Sequence, residues 1–208
     1  MKRKKPNEPT DAEGQFQLGD NYYFGDGVKE NPKKAAFWYG KAAAQGDIDA
    51  MYKLARLYHA GVGVERDESA AFNWYKGAAE QGHHWAQCDL GICYQKGVGT
   101  DIDCAMAADW FKKAAEQEDE TSMYALGRLY YKGEGIEKDL EQAVYWYKKA
   151  AEEGVAKAQC ELGLCYQKGE GVEKDQEQAL YWLIKAADSG NQLAAALLKA
   201  HFENEKKV

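Results

Sequence analysis

Apolar and polar positions follow a pattern along this chain that returns every 36 residues. Within one period, small and apolar residues stand four apart, as at Ala86, Leu90 and Tyr94, which places them on one face of an α-helix. After a glycine-containing turn a second apolar face follows, as at Ala143 and Trp146. The pattern predicts two amphipathic helices in each period.

One register of apolar residues extends through the chain. Six leucines mark it: Leu18, Leu54, Leu90, Leu126, Leu162 and Leu198. The first five are followed by a tyrosine four residues later and by a tryptophan twenty residues later. Stacked helix pairs bury such a repeated face against their neighbours. The sequence therefore predicts an all-α fold, an α/α superhelical solenoid of five 36-residue helix-turn-helix repeats plus a C-terminal capping helix.

Glycines and short polar residues divide the repeats. The second helix of each repeat follows an N-cap candidate that can accept a backbone N–H bond: Asn31, Asp67, Asp103, Asp139 and Asp175. The predicted organisation is a disordered basic N-terminus at 1–10, repeats at 11–46, 47–82, 83–118, 119–154 and 155–190, and a capping helix with a tail at 191–208. Glu118 stands where the other repeats end in glycine, so we expect a looser or reshaped connection between the third and fourth repeats.

The charge balance argues against one class of partner. The chain has 27 Lys and Arg against 34 Asp and Glu, whereas binding to a phosphate backbone needs clustered cations. The basic start, Met-Lys-Arg-Lys-Lys, is followed by polar residues without an apolar core, which predicts a solvated end rather than a secretory signal. No segment has the apolar length of a membrane-spanning helix. We expect no nucleic-acid partner and no stable membrane insertion.

The five cysteines are an odd number, which argues against a disulfide framework. This favours a reducing cytoplasm, with a periplasmic or secreted location only if a leader has been removed. Cys93 and Cys165 hold the position of Leu57 and Leu129 in other repeats, which predicts small buried thiols. Repeats two and four share Met-Tyr-x-Leu-x-Arg-Leu-Tyr, and repeats three and five share Ala-Gln-Cys-x-Leu-Gly-x-Cys-Tyr. These matches indicate duplication of a 72-residue pair of repeats.

The segment Ala-Gln-Cys-Glu-Leu-Gly-Leu-Cys-Tyr-Gln-Lys-Gly-Glu-Gly-Val-Glu-Lys-Asp, followed by Ala179 and Trp182, resembles the Sel-1-like repeat family. The resemblance covers about residues 11–203. It implies an α/α superhelix that acts as an adaptor or scaffold in protein complexes, without a cofactor and, for most members, without a reaction. Some bacterial members are virulence-linked or secreted, and some are immunity proteins that neutralise a toxin. A cysteine-rich branch carries one disulfide per repeat, but this chain has Ala79 and Ala151 where that branch has cysteine.

Candidate catalytic and metal-binding residues are sparse. The serines Ser69, Ser122 and Ser189 all lack a Gly-x-Ser-x-Gly setting, and the repeated glycines are turn glycines without a following Gly-Lys-Ser/Thr. His84 and Cys88 are four apart, but a three-ligand metal site is not evident. We therefore predict no enzyme, no cofactor and no metal. The competing class, a hydrolase of cell-wall material, would need a polar catalytic cluster that the sequence does not show.

The first helices of the repeats carry the predicted binding surface. In a tetratricopeptide-like stack these helices line the concave face, so the positions two before, two after and five after the register leucine should point into the groove. Cys88 and Cys160 hold the first of these positions in repeats three and five. The candidate groove residues are Phe16, Asp20, Tyr23, Tyr52, Arg56, His59, Trp85, Ile92, Tyr124, Arg128 and Tyr131.

Two matched pairs stand out in this set, Tyr52 with Arg56 and Tyr124 with Arg128, because arginine binds carboxylates through two parallel hydrogen bonds. Alternatively, the tyrosines are partly core and the arginines pair with neighbouring acids. Trp85 lies off the register, so it is either a surface contact or local packing over the preceding loop.

The function predicted from this surface is that of a monomeric scaffold or adaptor that binds a partner protein or peptide in its groove. A more specific alternative is a bacterial immunity or inhibitor protein that neutralises a toxin or an enzyme. A purely structural spacer is a third possibility, but it would need no variable groove of aromatic residues and arginine.

Overall fold

The computed structural model describes residues 8–205, and this part of the chain forms helices and no strand. The helices are α1 (Ala12–Phe24), α2 (Pro32–Ala44), α3 (Ile48–Ala60), α4 (Glu68–Glu80), α5 (His84–Lys96), α6 (Cys104–Ala115), α7 (Glu120–Lys132), α8 (Leu140–Glu152), α9 (Ala156–Lys168), α10 (Gln176–Asp188) and α11 (Gln192–Glu205). The predicted all-α repeat fold is confirmed. The chain divides into two compact units, an N-terminal unit with α1–α5 and a C-terminal unit with α6–α11.

In the N-terminal unit, each helix packs on the next one along the chain. The core consists largely of alanines, with the fully buried Tyr39 and the leucines Leu54 and Leu57 between them. Alanines allow the helices to approach closely, and the larger side chains fill the remaining space to the density of a protein interior. The apolar face marked by the sequence register is therefore the face that this unit buries.

In the C-terminal unit, the same packing continues from α6 to α11. The register leucines Leu126 and Leu162 and the side chain of Tyr147 are almost fully buried. The last helix, α11, covers the end of the unit, because its Ala194 is fully buried and belongs to one cluster with Leu183. The predicted C-terminal capping helix is thus present and in contact with the fifth repeat.

Side-chain caps begin most of the helices. The predicted caps of the second helices accept backbone N–H bonds at Asn31, Asp67, Asp139 and Asp175. First helices use Asp11, Asp47 and Asp119 in the same way. Two first helices differ, since His83 caps α5 with a ring nitrogen and Val155 before α9 provides no side-chain bond.

In the second to fifth repeats, the second glycine of the Gly-x-Gly turn allows close approach to the preceding repeat. Gly63 has φ 75°, and a Cβ there would lie 2.3 Å from the carbonyl carbon of Pro32. Gly135 has φ 76°, and a Cβ there would lie 2.2 Å from the carbonyl carbon of Cys104. Both the left-handed backbone and the lack of space therefore require glycine.

The connection after the third repeat keeps the shape of the others, so the expectation of a reshaped turn at Glu118 is wrong. Glu118 adopts φ 65° in the left-handed region. Its N–H donates to the Ala115 carbonyl at 3.1 Å, and the N–H of Asp119 donates to the Ala114 carbonyl at 3.1 Å, as at the equivalent positions elsewhere. The buried cap Asp119 adds a bond to Ser122, and these bonds offset a conformational cost of about 1 kcal/mol.

Residues 1–7 of the predicted disordered N-terminus lie outside the described residues. The segment that follows is attached to the first repeat through two backbone carbonyls. The carbonyl of Pro9 accepts a bond from the Gln15 side chain at 3.1 Å, and that of Thr10 accepts one from the Gln45 side chain at 3.1 Å. Residues 9 and 10 are therefore connected to α1 and to the end of α2.

Candidate functional site

The predicted groove residues of α1 are engaged within their own unit. Phe16 and Tyr23 pack against the core cluster, and the Phe16 ring centroid lies 5.8 Å from that of Tyr39. Asp20 accepts a hydrogen bond from the Tyr39 hydroxyl, which raises the pKa of that hydroxyl together with the larger effect of burial. Phe16 and Tyr23 therefore contribute to the core of this unit.

In α3, Tyr52 and Arg56 stand at the centre of a small cluster. The Arg56 guanidinium carbon lies 5.8 Å from the Tyr52 ring centroid. The ring centroids of Tyr52 and Tyr75 are 6.0 Å apart. Burial raises the pKa of Tyr52 to about 12, and the carboxylate of Asp89, which is hydrogen-bonded to the hydroxyl, adds to this effect. Arg56 itself is exposed, and so is His59 one turn further on. Tyr52 is thus a neutral phenol, and the exposed guanidinium of Arg56 lies over its ring.

The C-terminal unit contains the same cluster, 72 residues further along the chain. The Arg128 guanidinium carbon lies 5.9 Å from the Tyr124 ring centroid, which is 6.0 Å from that of Tyr147. Glu161 takes the place of Asp89. Burial raises the pKa of Glu161, and the nearby cations, Arg128 first among them, oppose that rise. We call these two groups the tyrosine–arginine clusters: Tyr52, Arg56, Tyr75 and Asp89, and Tyr124, Arg128, Tyr147 and Glu161.

The sequence prediction missed half of each cluster. Tyr75 and Tyr147 lie in second helices, and the acids lie in the next repeat, so only packing brings them to the arginines. One signal was present in the sequence, because the residue directly before the register leucine is acidic only in repeats three and five. That signal could have suggested Asp89 and Glu161 as partners for the arginines of the repeats before them.

The remaining predicted residues are dispersed. Ile92 is half-buried in α5. Tyr131 donates a hydrogen bond to the Glu170 carboxylate at 2.8 Å, and this bond, with burial, raises its pKa to about 12. Cys88 and Cys160 are buried, so the expectation that their position points into a groove is wrong in repeats three and five. A small thiol at this position packs into the core because it is both short and apolar.

Trp85 is both packed and exposed. Its ring centroid lies 4.5 Å from that of His84 and 6.0 Å from that of Tyr52, yet 54% of the residue is exposed. Tyr52 also stacks on His83 at 4.4 Å. Local packing over the preceding loop is therefore present, and the surface contact of Trp85 with a partner stays a prediction.

His83 holds this aromatic group in place. Its Nδ1 accepts a bond from the N–H of Ala86 at 3.2 Å, and its Nε2 lies 3.3 Å from the Asp49 carboxylate. Burial lowers the pKa of His83 despite the opposing effect of Asp49, so the neutral ring is favoured. The ring must then carry its proton on Nε2 and donate it to Asp49.

Other chemistry is limited in the described residues. All five cysteines are reduced thiols, and burial raises the pKa of Cys93 and Cys165 to about 12, which makes both poor nucleophiles. Between residues 8 and 205 no group of three His, Cys, Asp or Glu is arranged to hold a metal ion. In the same range no helix combines the length and the apolar character needed to cross a membrane.

These observations define the class of protein as an α/α repeat solenoid. The family model for the Sel1 repeat matches residues 12–47, 48–83, 86–119, 121–155 and 156–191. The chain therefore belongs to the Sel1 repeat family. Proteins with this repeat mediate protein–protein interactions, and the solenoid is typically a non-catalytic scaffold.

Solved structures support the same assignment. A Sel1 repeat protein from Oxalobacter formigenes is 35% identical, with a TM-score of 0.86 over 93% of this chain and 79% of that chain. A protective antigen of uropathogenic Escherichia coli strains, displaying an SLR fold, is 36% identical, with a TM-score of 0.85 over 88% of this chain. The match covers only 39% of that antigen. Among curated protein sequences no match is found.

A more distant structure is cysteine rich protein B of Helicobacter pylori. It is 25% identical, with a TM-score of 0.51 over 64% of this chain and 95% of that chain. The present chain has reduced thiols at all five of its cysteines, four of them buried.

Proposed function

We propose that this protein is a protein-binding scaffold whose contact surface includes the two tyrosine–arginine clusters. The observation that carries the proposal is that two tyrosines, with an arginine over one of the rings, recur in both units, with a carboxylate nearby in each. Tyrosine and arginine are enriched among the residues that dominate binding energies at interfaces. Arg56 and Arg128 lie off the Leu-Tyr-Trp register, so repeat packing alone does not call for them.

The clusters favour a partner with a carboxylate. A guanidinium that lies over an aromatic ring is attracted to the ring face and keeps N–H groups for a planar anion. The raised pKa of Tyr52 and Tyr124 keeps both phenols neutral, so neither adds a negative charge that would compete with the partner's carboxylate for the cation. The partner group would be an acidic side chain or a chain terminus. Because Phe16, Asp20 and Tyr131 are engaged within their own unit, we assign them a smaller share of the binding.

The test is capture of the partner from the native host, followed by affinity measurements on Arg56→Ala, Arg128→Ala and the double variant. We expect the double variant to weaken binding by roughly 2 kcal/mol or more, about 30-fold in Kd. Arg66→Ala is the matched control, because Arg66 is 63% exposed and pairs with Glu68 outside the clusters. Unchanged affinity in the double variant would overturn the proposal.

Arg128 needs an additional variant because it lies near the half-buried Glu161. Removing the cation alone leaves a partly buried carboxylate with less compensation, which lowers stability for reasons unrelated to binding. The double change Arg128→Ala with Glu161→Gln removes both charges. If this double variant unfolds like the parent and still binds the partner weakly, the loss of affinity comes from the lost contact of Arg128 with the partner.

The identity of the captured partner distinguishes an inhibitor from an adaptor. If the partner is an enzyme whose activity falls when this chain binds, the protein is an inhibitor of the immunity type. If activity is unchanged, it is an adaptor. The monomeric state and the cytoplasmic location stay predictions, to be checked by light scattering and by fractionation of the host.

A further inference from the structure

Three exposed aromatic rings on second helices of the repeats are covered by lysines of the same helix. The ammonium of Lys41 lies 4.8 Å from the centroid of Phe37, that of Lys149 lies 5.4 Å from Tyr145, and that of Lys185 lies 4.9 Å from Tyr181. In each pair the lysine follows four residues after the ring, on the same helix face. The negative π face of each ring is thereby already supplied with a cation.

Trp85 departs from this rule. The residue four positions later is Asp89, an acid, and no lysine or arginine among the described residues lies over the Trp85 ring. Arg56 lies over Tyr52 instead. Trp85 is therefore a largely exposed indole whose own helix places negative charge, rather than a cation, one turn away.

A second acid is connected to this indole through His83. The Asp49 carboxylate lies 3.3 Å from Nε2 of His83, and its side chain is 70% exposed. Because the neutral form of His83 is favoured, the hydrogen bond orients this carboxylate without neutralising it. Asp47, Asp49 and His83 also line a surface pocket of about 370 Å³. An exposed π face and an oriented carboxylate thus occur together, linked by His83, whose ring centroid lies 5.8 Å from that of Trp85.

The C-terminal unit has different residues at the three equivalent positions. Lys157 holds the position of Trp85, Thr121 that of Asp49 and Val155 that of His83. The C-terminal unit therefore has a lysine at this position, whereas the N-terminal unit has an aromatic ring with acids nearby. The difference is one of charge sign, and it predicts a complementary difference in what each surface attracts.

We propose that Trp85 and Asp49 form a docking site for a cationic segment of the protein partner, in which a guanidinium or ammonium lies over the indole and pairs with the Asp49 carboxylate. Charge complementarity supports this occupant, since the chain carries a net charge of −7 and both Asp47 and Asp49 line the pocket beside His83. The inference rests on the proposed protein-binding function and adds a second contact of opposite charge to the one at the arginines.

The test uses a hexa-arginine peptide as the probe and hexa-citrulline, a neutral analogue of the same shape, as its control. Binding is followed by NMR through the indole N–H signals of the six tryptophans, with Trp85 assigned from Trp85→Phe. We expect hexa-arginine to shift the Trp85 signal and the amides of residues 47–49 and 83–85, and hexa-citrulline to shift neither. Trp85→Ala and Asp49→Asn should each weaken hexa-arginine binding at least about fivefold.

Two controls keep the result specific. Asn keeps an oxygen that can accept the His83 bond, so Asp49→Asn should unfold like the parent, as should Trp85→Ala at this exposed position. Tyr181→Ala removes an exposed ring that has its own lysine and should leave the affinity unchanged. If shifts spread evenly over the acidic surface, or if Trp85→Ala and Asp49→Asn bind hexa-arginine as tightly as the parent, the inference is overturned.

The captured partner then separates this inference from the proposed function. If Arg56→Ala with Arg128→Ala weakens binding of the partner while Trp85→Ala and Asp49→Asn do not, the cationic docking site is overturned and the scaffold function stands. Weakening by the Trp85 and Asp49 variants alone would support the docking site and overturn the role of the arginines.

Discussion

The N-terminal and C-terminal units contain the same tyrosine–arginine cluster in different surroundings. Beside Tyr52 lie the rings of His83 and Trp85, whereas the equivalent positions of the C-terminal unit hold Val155 and Lys157. The helix packing that positions the cluster is alike in both units, because the register residues are alike. The duplicated helices therefore keep the same geometry, while the residues next to the cluster change the chemistry of the surface.

The ends of the two units also differ. In the C-terminal unit, α11 buries Ala194 against the fifth repeat. In the N-terminal unit, Leu18 and Tyr22 of α1 are only half-buried and line a surface pocket of about 700 Å³ together with Trp38. The register leucine is therefore only half-buried in the first repeat, at Leu18, whereas it is buried in the next four repeats, at Leu54, Leu90, Leu126 and Leu162.

The largest expected effect is loss of the helix that covers the C-terminal unit. Deleting residues 191–208 exposes the apolar face against which Leu197 and Leu198 pack. We expect the C-terminal unit to lose on the order of 4 kcal/mol, since each leucine contributes about 1.5–3 kcal/mol when buried. Hydrogen exchange of residues 156–188 should become much faster, while residues 32–60 change little. Equal protection of residues 156–188 from hydrogen exchange in the full chain and in the deletion variant would show that α11 does not stabilise the unit.

A matched pair of glycine substitutions should affect the two units alike. Gly63→Ala and Gly135→Ala each place a Cβ within 2.3 Å of backbone at a φ of about 75°. We expect each to lower the free energy of unfolding by about 3 kcal/mol, as overpacking and left-handed strain combine. Urea unfolding monitored by circular dichroism measures both. A large difference between them would mean that the two units do not share the same packing at this turn.

His83 should make the stability of the N-terminal unit depend on pH. Its pKa is lowered by burial from 6.5, so its contribution is present above 6.5 and is lost as the pH falls through the lowered value. Protonation also removes the Nδ1 acceptor that caps α5. We expect a loss of about 1 kcal/mol between about pH 7 and about pH 5, and a flatter profile for His83→Asp.

The controls for this pH effect come from the chain itself. Asp47 and Asp119 cap the equivalent helices, so aspartate fits the position of His83. The mirror change, Val155→Asp, gives α9 the cap that it lacks and should stabilise the C-terminal unit by about 1 kcal/mol. If His83→Asp shows the same pH profile as the parent, the imidazole is not the group that titrates.

The smallest expected effect is at Glu161, where the pH dependence has the opposite sign. Burial raises its pKa above 4.5, so its contribution is present at low pH and is lost as the pH rises through the raised value. Glu161→Gln should therefore be equal to the parent or a few tenths of a kcal/mol more stable at neutral pH, within the range of mild substitutions. Chemical unfolding at two pH values checks this. A clear loss of stability would show that the charge pairs favourably with Arg128.

Much of the fold could be predicted because the repeated residues are also the buried ones. Leu126 and Trp146 lie in the core, and their spacing along the chain identifies them. The candidate site was only partly predicted, because Arg56 was found from its position in a first helix whereas Asp89 belongs to the following repeat. Spacing within one helix reports which residues share a face, but not which residue of another helix faces them.

Recurring local patterns in the sequence were sufficient to predict the number of repeats, the helix periodicity, the turn glycines and the pairing of repeats by duplication. Which groups meet across repeats depends on the tertiary structure. Neutral His83 beside Asp49, buried Glu161 near Arg128 and exposed Trp85 are outcomes of helix packing. Burial and charge proximity depend on distances between helices, and those distances are set by the packed core.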